Sequence, residues 1–224
     1  MCTYIMKDAD SVREAIVESA SWLFDRFGYE KTSVDEIARR AHRAKTSVYY
    51  YFDGKLAIFK AVLKKEFMSV RRGLEEVRAA YSQDPKEQLI TYLTKRMRLL
   101  HSAKVYIQYM NSPYIYGNNE ISAIVDASRA DFDRWENEYF ENVCEEGRRE
   151  GVFSEKVETG AFAKLMTILL KGMEIQFFHS GDYEALKSTY ETMVELLVSR
   201  NCPVPGVTAG NAGGLPHGQG CGCA

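Results

Sequence analysis

Between Thr32 and Phe59 the chain reads TSVDEIARRAHRAKTSVYYYFDGKLAIF, and this stretch restricts the possible folds more than any other. Ser33 followed three residues later by Glu36 is a capping box, so a helix is expected there, with Ile37, Ala38 and Ala41 turned toward a core. From Ala41 to Lys45 there is room only for a tight turn. Thr46 or Ser47 can then cap a second short helix that runs through Val48, Tyr49, Tyr50 and Tyr51 to Phe52. Two short helices joined by a turn form a helix-turn-helix. On the second of them Val48 and Phe52 are four apart and share the inward face, which leaves Lys45, Thr46, Ser47, Tyr49 and Tyr50 facing outward. Between Arg39 and Lys55 the basic residues Arg39, Arg40, Arg43, Lys45 and Lys55 are opposed only by Asp53, a local excess suited to a phosphate backbone.

The run T-S-V-x-x-I-A-x-x-A, then K-x-S-V-Y-x-Y-F, then K-x-A-I-F, resembles the DNA-binding domain of the TetR family of bacterial transcriptional regulators. The resemblance covers roughly the first quarter of the chain. It implies three N-terminal helices that hold the helix-turn-helix and a fourth that leads to a ligand-binding domain. The residues expected to contact DNA are Thr32, Ser33, Arg43, Lys45, Thr46, Ser47, Tyr49, Tyr50 and Lys55, while Tyr51 and Phe52 are read as packing aromatics. Two positions depart from the family pattern. His42 stands where Gly is usual in the turn, and Arg43 where a small apolar residue is common. Histidine is among the better tolerated residues in a left-handed turn.

Length and charge agree with a DNA-reading head on a larger body. At 224 residues the chain can hold one large or two modest domains. Its 29 Lys and Arg against 31 Asp and Glu do not suggest uniform coating of nucleic acid or of an anionic membrane. The most notable apolar tract, Leu165 to Leu170, is stopped by Lys171 well short of a membrane span. Lys7, Asp8 and Asp10 leave no signal-peptide apolar region at the start, so a cytoplasmic protein is expected. The cysteines, Cys2, Cys144, Cys202, Cys221 and Cys223, are odd in number and scattered, which argues against a secreted disulfide framework.

In chain order, Ser11 and Glu14 form another capping box, and Val12, Ile16, Ala20, Leu23, Phe24 and Phe27 recur at helical spacing before Gly28. A long helix is expected from Lys55 to about Ala80, with Leu56, Phe59, Val62, Leu63, Phe67, Val70, Leu74 and Val77 on its inner side. Asp84-Pro85 with Glu87 starts the next, which carries Leu89, Leu93, Met97 and Leu100. The aromatic stretch YIQYMNSPYIY, from Tyr106 through Tyr109 and Met110 to Tyr114 and Tyr116, is expected to bend at Ser112-Pro113. It reads equally well as a pocket wall and as ordinary core. Another long helix is expected from near Glu120 to Arg149, stopping at Gly147 and Gly151, and the next from near Ser154. From Phe162 to Phe178 that helix is apolar nearly all round, more than one monomer is expected to cover. A last helix follows Gly181 and Asp182. These two helices are read as a homodimer interface holding Leu169, Met173, Met193, Val194 and Leu197, in line with how the family usually dimerises.

The expected organisation is therefore all-α. Residues 8–54 form the helix-turn-helix DNA-binding domain (motif about 33–52), residues 55–200 a helical effector-binding and dimerisation domain, and residues 201–224 a flexible Gly/Pro-rich tail. His217, Cys221 and Cys223 in that tail lack the paired spacing of a structural zinc site, and no metal or cofactor is expected. No H-E-x-x-H, G-x-S-x-G, phosphate-cradling loop or dinucleotide fingerprint is present, and His101 and His179 are lone histidines, so an enzyme is not expected. The expected function is a homodimeric, ligand-responsive regulator of transcription, most simply a repressor released from double-stranded operator DNA by a hydrophobic or aromatic small molecule. The effector pocket is expected to be apolar and aromatic, with Met97, Tyr106, Tyr109, Met110, Trp135, Tyr139, Met166 and Phe177 as walls. The alternatives are a helical protein-interaction module and a regulator with an activator role.

Overall fold

A computed structural model of the chain describes residues 2–111, 119–179 and 183–201. Tyr114, Tyr116, the Ser112-Pro113 bend, the Gly181-Asp182 helix start, the tail from Cys202 and the side chain of Leu197 lie outside the described residues. Nine helices and no strand occur among those described.

The first, α1 (Cys2–Phe27), begins earlier than the Ser11 capping box predicts. No Gly or Pro lies between Cys2 and Ser11 to interrupt a helix, so Ser11 falls inside it. Helix α2 (Val34–Arg40) starts where expected: the Glu36 amide donates to Ser33 Oγ at 3.2 Å and the Ser33 amide donates to Glu36 Oε2 at 2.8 Å. Helix α3 (Lys45–Tyr51) does not start at Thr46 or Ser47. Its cap position is Ala44, which has no side-chain oxygen to offer. Ile16, Ala20 and Phe24 of α1, Ile37 and Ala38 of α2, and Val48 of α3 are buried together as the core of a three-helix head. The rings of Phe24, Tyr29 and Phe59 close it from the side of the next helix, with centroids 5.0–5.7 Å apart.

Helix α4 (Lys55–Ala80) runs about 39 Å from this head into the body. Its inner stripe of Phe59, Val62, Leu63, Phe67, Val70, Leu74 and Val77 is buried first against α1 and then against the body helices. Helix α5 (Pro85–His101) is opened by Asp84, whose Oδ1 accepts the Glu87 amide at 2.9 Å. The short α6 (Lys104–Met110) crosses between α1, α4, α5 and α8. Helix α7 (Asn119–Arg149) packs along α8 (Thr159–His179), and α9 (Tyr183–Asn201) lies on α5, where the Tyr190 hydroxyl donates to the Leu93 carbonyl at 2.7 Å.

Helix α7 ends at Arg149 as expected, two residues beyond Gly147. A side chain at Gly147 would run into the Phe153 ring, so the glycine is what lets the chain fold back on the helix end. The start of α8 lies five residues after Ser154. The Glu158 carboxylate accepts the amides of Gly160 at 2.9 Å and Ala161 at 2.5 Å, and so caps the helix there.

Candidate nucleic-acid interface

The turn between α2 and α3 is fixed by backbone bonds that close the end of α2. The Arg43 amide donates to the Ala38 carbonyl at 2.9 Å and the His42 amide to the Arg39 carbonyl at 3.2 Å, while His42 takes the left-handed conformation at φ 54°. This is the 6→1 and 5→2 pattern of a Schellman end, with histidine where glycine is usual. It turns the chain so that α3 presents one face to the core, through Val48 at 0% and Phe52 at 5% exposure.

The opposite face is open. Tyr49 is 49% and Tyr50 81% exposed, Lys45 and Thr46 are exposed, and Ser47 is half-buried. Exposed aromatic area of this size on a seven-residue helix has no packing role to account for it. Tyr51 is half-buried and meets Tyr50 edge-on at 5.0 Å, and Phe52 is buried beneath the Arg13 guanidinium. Arg39, Arg40 and Arg43 are exposed around the turn, with the Arg40 guanidinium 3.6 Å from the Trp22 ring centroid. The Lys45 ammonium lies 2.8 Å from Asp35 Oδ1 and 3.1 Å from Oδ2. Its pKa is raised, first by that hydrogen bond and then by the carboxylate's charge.

Besides Lys45, three more of the expected contact residues have structural partners. Thr32 is 2% exposed and its hydroxyl donates to the Gly28 carbonyl at 2.8 Å, so its side chain points away from the open face. Ser33 closes the α2 capping box. The Lys55 ammonium donates to the Tyr29 carbonyl at 2.9 Å and lies 4.2 Å over the Tyr29 ring, tying the first turn of α4 to the end of α1.

In the body, the eight expected pocket residues do not gather around one space. Met97 and Phe177 border a groove of about 770 Å³ between α4, α5, α8 and α9, with Val77, Ile90 and Tyr190, under a rim of Glu76, Lys95, Arg98, Lys187 and Glu191. Tyr109 borders a separate cavity of about 280 Å³ between head and body, with Tyr29, Phe59 and Ile121. Tyr139 is buried in a stack on Tyr92, Met166 is buried, and Met110 and Trp135 pack half-buried against the core. Tyr106 is buried with its hydroxyl donating to Glu174 Oε2 at 3.3 Å. Burial, with the Glu174 charge beside it, pushes that phenol far up from its ordinary value.

Glu174 belongs to a buried charged cluster with Arg96, Arg129 and Glu136, where an apolar interior was expected. A signal for it exists in the sequence. Arg96 falls on the Leu89–Leu93–Leu100 stripe, Glu136 on the Phe132–Tyr139–Val143 stripe and Glu174 on the Met166–Leu170–Phe177 stripe, each a charge at an inward helical position. Among the described residues no helix is long and apolar enough to cross a membrane, and no group of three or more His, Cys, Asp or Glu is placed to hold a metal ion.

A short helix displayed by a fixed turn on a three-helix head defines a helix-turn-helix protein. Residues 16–62 match the family described as bacterial regulatory proteins, tetR family. The chain is 25% identical over 121 residues to the biofilm operon icaADBC HTH-type negative transcriptional regulator IcaR of Staphylococcus aureus, which covers 53% of this chain and 64% of that protein, a little under two thirds of its length. A transcriptional regulator from Cytophaga hutchinsonii superimposes with a TM-score of 0.70 at 22% identity, over 85% of this chain and 98% of that one. The regulator FadR from Bacillus subtilis, in complex with stearoyl-CoA, superimposes at 0.60 with 19% identity, over 83% and 97%. These two likenesses show the shared all-helical fold. The helix-turn-helix head of this chain is therefore of the TetR family of bacterial regulators, the match lying in residues 16–62.

Proposed function

We propose that this protein is a dimeric repressor that reads double-stranded operator DNA with α3 and leaves it when a hydrophobic or aromatic small molecule binds the body. The observation that carries the reading is the open face of α3, where Lys45, Thr46, Tyr49 and Tyr50 project from a helix whose other face is locked by Val48 and Phe52. Phosphates are met by the exposed Arg39, Arg40 and Arg43 around the turn, and base edges by the outward residues of α3. In this division residues 8–54 read DNA and residues 55–200 bind effector and dimerise.

Dimerisation is supported by apolar side chains that one chain leaves uncovered: Leu165, Ile168 and Ile175 on α8 and Leu196 on α9 are each at least half exposed. Leu169, Met173 and Met193 lie half-buried beside them, whereas Val194, expected at the interface, is buried in the core of the single chain. A two-fold arrangement of these helices sets two α3 helices apart, and successive major grooves on one side of a duplex require about 34–36 Å between them.

Release is supported by the groove of about 770 Å³, within the usual size of small-molecule sites. One wall is the far end of α4, at Val77, Ala80 and Tyr81, and the near end of the same helix holds Lys55 beside α3. A ligand that tilts α4 moves the reading head. IcaR is a negative regulator, which favours repression here. To release DNA the ligand must prefer the non-DNA state, and a tenfold preference corresponds to about 1.4 kcal/mol.

The test is to isolate operator fragments by gel shift and screen hydrophobic and aromatic compounds for release, with Met97→Trp to fill the groove. Release by apolar compounds that the filled variant resists supports the reading. Release only by strongly anionic compounds, or an unchanged response in the variant, contradicts it.

A further inference from the structure

Asp35 and Lys45 join the first turns of the two helices of the DNA-reading unit. Asp35 is the second residue of α2 and Lys45 the first of α3, and both carboxylate oxygens lie on the ammonium, at 2.8 and 3.1 Å. The side chains are 53% and 54% exposed. An ion pair this open contributes little to stability, so its use is not in holding the head together.

Its effect on DNA binding is larger. A lone lysine on four methylenes reaches any phosphate within its swing and neutralises it whatever the sequence. Held by two oxygens, the same ammonium is turned to one side and keeps one N–H direction free. It no longer counts as a mobile cation, because Asp35 already balances its charge. The acceptor pair that a directed donor at the start of a reading helix can use is the O6 and N7 edge of guanine in the major groove.

We propose that Asp35 is a positioning residue that determines specificity: it withholds Lys45 from the phosphate backbone and presents it to a guanine edge in the operator. This rests on the reading of α3 as the DNA-contacting helix. Asp35 itself need not touch a base.

The experiment compares wild type, D35N, K45A and the double variant on an operator fragment and on a scrambled duplex, over a range of salt. Freeing one cation steepens the slope of log K against log salt by about 0.9, so D35N should bind the scrambled duplex about five- to tenfold more tightly near 0.1 M salt. Its operator preference should fall, with the loss at one G·C pair. In the K45A background, D35N should leave slope and preference unchanged, because there is no lysine to release. Thermal melting of D35N should match the wild type, which separates positioning from folding.

An unaltered slope and preference in D35N would overturn the proposal while leaving the DNA-reading assignment intact. So would the same change with and without Lys45, since that would trace it to lost repulsion alone. A wild-type protein that binds neither duplex would overturn both.

Discussion

The Arg96 guanidinium lies edge to edge on the Glu136 carboxylate, Nε 2.5 Å from Oε1 and Nη2 2.8 Å from Oε2, with both side chains fully buried. Nη2 also reaches Glu174 Oε1 at 2.6 Å, an oxygen shared with Arg129 Nη2 at 2.8 Å. The Tyr92 hydroxyl donates to Glu136 at 2.9 Å and Tyr106 ties in α6, so α5, α6, α7 and α8 meet at one set of charges. Burial alone would pull the Arg96 pKa down, and the Glu136 and Glu174 carboxylates together outweigh it, so the guanidinium stays charged. Apolar residues of the same size could replace such a cluster at little cost, but removing one member leaves a buried charge without its partner.

Glu136→Gln should therefore destabilise the fold by about 3–5 kcal/mol in urea melts, whereas Lys65→Met, which breaks only exposed pairs to Glu14 and Glu18, should cost under about 1 kcal/mol. Equal losses from the two changes would show that the buried cluster is not what holds the four helices in register.

A pH dependence follows from Glu66. Its carboxylate on α4 accepts the amides of Val105 and Tyr106, each at 2.9 Å, at the start of α6. Burial is the main cause that raises its pKa from 4.5 to about 7, against the opposite pull of those two amides. Between these values the folded chain binds more protons than the unfolded one, so the stability contributed at this site falls as pH rises through the window and is level above it. Melts at several values between about pH 5 and about pH 8 should show wild-type stability declining relative to Glu66→Gln, by at most about 3 kcal/mol. A difference between the two proteins that does not vary with pH would contradict this account.

Lys55 is expected to act twice. Its ammonium donates to the Tyr29 carbonyl and sits over the Tyr29 ring, so Lys55→Ala should lower stability by about 1–3 kcal/mol as well as weakening DNA binding alike at all sequences. Thermal melting and a salt series on unrelated duplexes check the two effects separately. A variant that loses DNA affinity with no change in melting would show that the contact to Tyr29 is incidental.

Much of this architecture was legible because helix ends are written in local chemistry. The Ser33–Glu36 box and Asp84-Pro85 mark their helices through side-chain oxygens that need only neighbouring amides. Where the cap is of another kind the reading slipped: Ala44 opens α3 with no side-chain oxygen, and Glu158, not Ser154, opens α8. The charged centre of the body was read as apolar because its pairs join residues 40 and 78 positions apart, and helical periodicity carries no information about which inward positions meet. The outward face of α3 was legible for the opposite reason, since it depends only on which residues its short core stripe leaves over.

The uncovered apolar face yields a further test. Val194 is 1% exposed within a single chain, so a charge there should unfold the protein. Ile168 is 60% exposed, and Ile168→Lys should give a folded monomer by sedimentation with unchanged helical content. A folded dimer from Ile168→Lys would place the interface on other helices.

The most direct test of the DNA-reading assignment is selection of bound fragments from random genomic DNA, followed by footprinting of the enriched sites. The account predicts a shared sequence with two half-sites about 34–36 Å apart on one side of the duplex, and an altered base preference when Thr46 or Lys45 is changed. Fragments without a common sequence, or a common sequence bound identically by both variants, would contradict it.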